Sequence, residues 1–215
     1  MGDDNGTSGT LPGRTVALDI PSARVLAGQA AVIQDLQFVM DCCQRLLAEL
    51  SQAEEDRDGV VPLALWSAAV TAYGRCFAPG FAPGQGFGLT FDDVQRLPLQ
   101  GAVTSFHQWV IGERDRFAAP GADPFEAARV GAALSPAGQR QRVAGVAIFA
   151  VSRVLIDATG VRQLGGLASE LAKQIAVAAQ GQQDAVLADA GKLDAGRLYA
   201  LPPLPTQPEP AADPA

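Results

Sequence analysis

Residues 22–50 read SARVLAGQAAVIQDLQFVMDCCQRLLAEL, and the pattern of this stretch decides the fold. Val32, Leu36, Val39, Cys43, Leu46 and Leu50 recur at spacings of four and three, the period of an α-helix. Ile33, Met40 and Leu47 lie beside that stripe at seven-residue intervals and widen it. A two-stranded seam needs a narrower face than this, so the spacing predicts a long helix buried against two neighbours. The fold class that follows is mainly α, an antiparallel bundle of about four principal helices.

The rest of the chain supplies the partners. Glu54 to Gly59 reads as a charged turn, and Pro62 sits near the start of a second helix, where a missing N–H costs nothing. Leu65, Trp66, Ala69, Val70, Tyr73 and Phe77 form the apolar face of that helix. Two Pro-Gly pairs between Ala78 and Gly88 mark a long loop. Thr90 and Asp93 have the spacing of a capping box, which predicts a short helix over 91–96. A third major helix is expected from Leu99 to about Ala118, with Leu99, Val103, Phe106 and Val110 in register and Pro120-Gly121 as its stop.

Then the period changes. Residues 127–134 and 142–151 are two β-like runs around the Pro/Gly turn 135–141, so a β-hairpin near 127–156 is inserted in the bundle. A last long helix after Asp157 is carried by Val161, Leu164, Leu167, Leu171, Ile175 and Ala178 and runs to about Ala190, across Gly165, Gly166 and Gly181. The organisation is a disordered or extended N-terminal arm over 1–21, one helical domain over 22–198, and a Pro-rich disordered tail over 199–215.

Composition narrows the function. With 48% apolar and 18% charged residues the 215-residue chain is globular, and it can bury a real core. A net charge of −7 argues against nonspecific nucleic-acid binding by the whole surface. The N-terminus has neither a basic start nor an apolar core, so it is no secretory signal, and position 6 is Gly where a myristoylation motif wants Ser or Thr. The longest apolar run, Val143 to Ile156, is too short to span a bilayer, so a cytoplasmic protein with no membrane association is expected. Cys42, Cys43 and Cys76 form no disulfide framework and read as small buried hydrophobes. One histidine and no Cys-x-x-Cys pair leave a zinc site without ligands, and neither metal nor cofactor is expected.

The polar chemistry gathers in the third major helix. Gly84-x-Gly86-x-Gly88 follows a helix rather than a strand and lacks a Gly-Lys-Ser/Thr, so it is a connection and not a phosphate loop. No Gly-x-Ser-x-Gly elbow exists, and Ser105 projects from a different part of the helix than His107, which removes a hydrolase triad. His107 and Arg114 are two helical turns apart and share one stripe, about 10 Å from each other along the axis. The stripe borders the apolar face, where a lone histidine more often satisfies the core than catalyses. Glu113 and Arg116 have i, i+3 spacing and read as an ion pair on a solvated face. Arg140, Arg142, Arg153 and Arg162 make the hairpin region locally basic.

The order Trp66, Tyr73-x-Arg75-Cys76-Phe77, His107, Arg114-Asp115-Arg116 and Asp123-Pro124-Phe125-Glu126 resembles the HEPN superfamily, and more narrowly its abortive-infection type. The likeness spans residues 30–190 loosely and 66–126 by motif. It implies a helical ribonuclease fold in which an Arg and a His four to six residues apart meet their copies across a homodimer. There the Arg neutralises the scissile phosphate and the His moves the proton of the ribose 2′-hydroxyl. Arg114 matches the Arg, but the expected His falls on Pro120, and a second His of the relatives falls on Phe117. Proline transfers no proton. The resemblance therefore implies a catalytically inactive, HEPN-like binding protein with an RNA or protein partner, in a toxin–antitoxin or phage-defence setting. Arg114 and Arg116 are the nucleic-acid contacts it suggests, and the second and third major helices are the dimer surface. Two other readings stand beside it: a divergent metal-independent ribonuclease using Arg114 with His107, and a helical assembly protein with no nucleic-acid role.

Overall fold

The computed structural model describes residues 15–53, 59–78, 87–118, 126–136, 140, 142–152 and 156–204. Within these lie six helices and one hairpin: α1 (Pro21–Leu50), α2 (Val60–Arg75), α3 (Phe91–Gln95), α4 (Val103–Ala118), β1 (Glu126–Leu134), β2 (Val143–Ser152), α5 (Ala158–Ala190) and α6 (Ala195–Ala200). The molecule is a mainly α bundle with an inserted antiparallel β-hairpin. Its helices pack in the order α5, α1, α2, α4, with the short α3 against α4.

The broad face of α1 explains that order. Val32, Leu36, Val39, Cys43 and Leu46 are buried, and α1 packs on α5 with one flank and on α2 with the other. Gln182 Nε2 donates to the Ser22 carbonyl oxygen at 2.9 Å, while a Cβ on Gly165 would sit 3.4 Å from Cys43 Cβ. The late part of α5 thus meets the start of α1, and its early part meets the later turns, so the pair is antiparallel. Arg75, at the end of α2, reaches back with Nη2 and Nε to Asp35 in the middle of α1. The core formed this way includes Trp66, Tyr73, Val94, Val110, Leu164 and Leu171. All three cysteines are buried in it, and burial pushes the Cys43 and Cys76 thiols up to about 12.

Local signals set most ends. Asp157 caps α5 by accepting from the Gly160 N–H at 2.8 Å. Asp93 caps α3 by accepting from the Thr90 N–H at 2.7 Å and from Thr90 Oγ1 at 2.8 Å. Three expectations shift. The third major helix begins at Val103 rather than Leu99, because Gly101 takes a left-handed φ of 93° and turns the chain before it. On α5 the last buried position is Ala179 and not Ala178, one i+4 step beyond Ile175. Residues 199–204, expected in the tail, carry structure: α6 runs to Ala200, and Val16 and Pro203 then form an antiparallel bridge. Ala17 N–H donates to Pro202 O and Leu204 N–H to Thr15 O, both at 3.0 Å.

Among the described residues, β1 and β2 pack mainly on each other. Val130 pairs with Ile148 and Ala132 with Val146, with a bulge after Ala133 that sets Leu134 against Val143. Val130, Leu134, Val143, Val146 and Ile148 therefore share one face, and each is 64–71% exposed. Arg129 pairs with Phe149 on the other face.

Candidate functional site

The polar groups of α4 meet the last turn of α2, and a small-residue gap there determines how. Gly74 has Tyr73 and Arg75 as neighbours and is buried in α2. A Cβ on Gly74 would lie 2.1 Å from Arg114 Cδ and 3.0 Å from its Cγ, so the Arg114 stem occupies the space a side chain would fill. Held in this groove, the guanidinium donates from Nη1 to the Gly74 carbonyl oxygen at 3.3 Å. Nε and Nη2 both donate to Asp115 Oδ1, at 2.8 and 2.6 Å. Three of the five N–H groups of Arg114 are thus engaged, and its side chain remains 29% exposed. The two remaining N–H groups can meet an anion from solvent.

His107 has a different environment. The ring is buried, with its Nδ1 2.8 Å from the Tyr73 hydroxyl and its centroid 4.6 Å from Phe77, 5.8 Å from Phe91 and 5.8 Å from Tyr73. Burial lowers its pKa, so the neutral imidazole is the form the fold selects. Burial also raises the Tyr73 phenol, which keeps its proton. The pair is a neutral hydrogen bond joining α2 to α4, made either by the phenol donating to Nδ1 or by Nδ1–H donating to the phenol oxygen.

His107 and Arg114 face consecutive residues of α2 and are not joined by a hydrogen bond to each other. The imidazole is turned into an aromatic cage while the guanidinium lies in a groove that opens to solvent. Arg116 pairs with Glu113 as the i, i+3 spacing predicts, but the face is not solvated on both sides: Glu113 is 7% exposed and Arg116 63%. The carboxylate is covered and the arginine lies over it, which ties Arg116 down.

No protein-family model, curated protein or solved structure matches this chain. The geometry must therefore speak for the site. Tyr73 and Gly74 are the residues sequence reasoning placed less fully. Tyr73 was legible as apolar face, and a buried tyrosine that needs a partner for its hydroxyl points to a polar neighbour such as a lone histidine. Gly74 inside a helix carries a penalty against Ala, which signals close approach by another group. Arg153 of the basic hairpin region, the loop 79–86 with two of its three spaced glycines, and Pro120 with the Asp123-Pro124-Phe125 segment lie outside the described residues. Arg140 and Arg142 are exposed at the hairpin turn, where Ser135 Oγ donates to Arg140 O at 3.0 Å and accepts from Arg142 N–H at 3.1 Å. Among the described residues no three His, Cys, Asp or Glu side chains gather as a metal-binding group. No described helix is long and apolar enough to cross a membrane.

Proposed function

We propose that the chain is a catalytically inactive, HEPN-like binding protein that works as a homodimer and presents Arg114 to a phosphate group of an RNA partner, in a toxin–antitoxin or phage-defence setting. The observation that carries the inactive reading is the state of the only histidine: buried, neutral and hydrogen-bonded to Tyr73. A general acid–base must reach the proton it moves, and loss of one removes about 10²- to 10⁴-fold of rate. Arg114 keeps two N–H donors and part of its surface in solvent, which supports anion contact without supplying a base. A second reading, a helical assembly protein with no nucleic-acid role, draws on the fact that Asp115 and Gly74 already hold Arg114 within one subunit.

A metal-free assay on structured and single-stranded RNA tests both halves. Wild type is expected to leave the RNA uncut and to bind it with an affinity that falls as salt rises. Arg114→Ala removes that binding, and Gly74→Ala weakens it by evicting the Arg114 stem while leaving the charge in place. Cleavage by wild type that is lost in both Arg114→Ala and His107→Ala overturns the inactive reading. No RNA binding at any salt concentration leaves the assembly reading as the better one.

A further inference from the structure

Between the approach to α4 and the first turns of α5 lies a cavity of about 650 Å³, within the range of small-molecule sites. Leu99, Val103 and Phe106 line it from the α4 side and Leu167 from α5, so its walls are mainly apolar, with Gln100, Ser105, Thr159 and Gln163 as polar lining. Arg162, a solvent-exposed residue, lines it as well. Among the described residues no Asp or Glu borders the cavity, and Arg162 has no hydrogen-bond or ion-pair partner.

Neither feature serves the fold. Arg162 sits in the second turn of α5, near the positive end of the helix, where a cation is disfavoured. Gly166, which also lines the cavity, lies inside the same helix, where glycine is a poor helix former. A Cβ built on Gly166 meets nothing within 4 Å, so no close approach of backbone or side chain requires the glycine. A side chain at this exposed position would enter open space beside the cavity. An unpaired guanidinium beside a mainly apolar cavity, in a chain of net charge −7, is complementary to an anion with an apolar body.

We propose that this cavity binds a small monocarboxylic acid with an extended apolar body, of the medium-chain fatty-acid kind, with its carboxylate on Arg162. A single carboxylate matches the single positive charge. A doubly charged phosphate would leave one charge unpaired against apolar walls. The planar fork of Arg fits a carboxylate through two parallel N–H donors.

The test is titration of the full-length protein with decanoate, below its micelle concentration, and with decanol as the uncharged analogue. Calorimetry reads binding, and tryptophan emission reports it independently, because the Trp109 ring lies 5.6 Å from Phe106. Saturable decanoate binding is expected, tighter than decanol. Arg162→Gln should weaken decanoate by about 10- to 100-fold and leave decanol unchanged. Gly166→Leu, which fills the cavity at a position with room for a side chain, should abolish both with the helical circular dichroism intact. Absence of saturation by decanoate overturns the proposal. So does equal binding of acid and alcohol, or decanoate affinity left unchanged by either substitution.

Discussion

The single imidazole gives the molecule a pH dependence that can be assigned to one residue. Burial depresses the folded-state pKa of His107 below its ordinary value near 6.5, so the folded form favours the neutral ring. Above about 6.5 both folded and unfolded chains carry it neutral. As pH falls below that, the unfolded chain takes up a proton first, and stability declines until pH reaches the folded pKa. The slope can approach about 1.4 kcal/mol per pH unit and no more for one group. Carboxylates enter at lower pH: burial raises Asp93, but bonds from Thr90 and Arg96 outweigh it and hold the group below its usual range. Urea midpoints measured from pH 7.5 to 5 should therefore fall in wild type and stay level in His107→Gln, whatever the absolute stability of that variant. An equal slope in both proteins would remove His107 as the cause. At this scale the sequence was partly legible. A lone histidine on the border of an apolar stripe reads as a satisfied core residue, and it is one. The aromatic cage was not legible as a whole: Tyr73 and Phe77 fall on the expected apolar face of one helix, but Phe91 and His107 come from other segments and only packing brings them together.

Among the elements, helices and hairpin differ in how they are held. Each long helix buries an apolar face in the common core, whereas β1 and β2 are packed mainly against each other. A two-stranded ribbon is marginal in water by itself, so its amide protons should exchange well before those of α1 and α5. Val146→Thr together with Ile148→Thr should leave the unfolding free energy of the helical bundle, from urea titration, within about 0.5 kcal/mol of wild type, the usual range for exposed positions. A loss of several kcal/mol would show that the hairpin contributes to the core. The periods of the elements were written in the sequence: four-and-three spacing over α1, Thr90 with Asp93 at α3, and the Pro/Gly turn between β1 and β2. The start of α4 was not, since Leu99 continues the apolar period while Gly101 breaks the backbone. Nor was the burial of Glu113, because i, i+3 spacing to Arg116 shows the pairing but not which partner the neighbouring helices cover.

For the molecule as a whole, the proposed dimer makes a mass prediction. Trp109 on α4 is 45% exposed although it stacks on Trp66 and Phe106, and Val60 on α2 is 71% exposed, so the proposed dimer surface carries apolar groups still in water. Light scattering at micromolar concentration should give about twice 22.2 kDa, and Trp109→Lys should shift it toward the single-chain mass. A clean single-chain mass for wild type removes the dimer. The packing order α5–α1–α2–α4 was only half visible beforehand: the width of the α1 face requires two neighbours, but nothing in the pattern says which helices they are. The bridge between Val16 and Pro203 has a mechanical consequence. Thr15 and Leu204 lie at the same end of that antiparallel pair, with Leu204 N–H on Thr15 O outermost and Ala17 N–H on Pro202 O behind it. Tension applied across the two ends loads these bonds one after the other, as in opening a zipper, instead of shearing them together. The clasp should therefore yield at low force and release a short length of slack before any helix of the bundle feels the load.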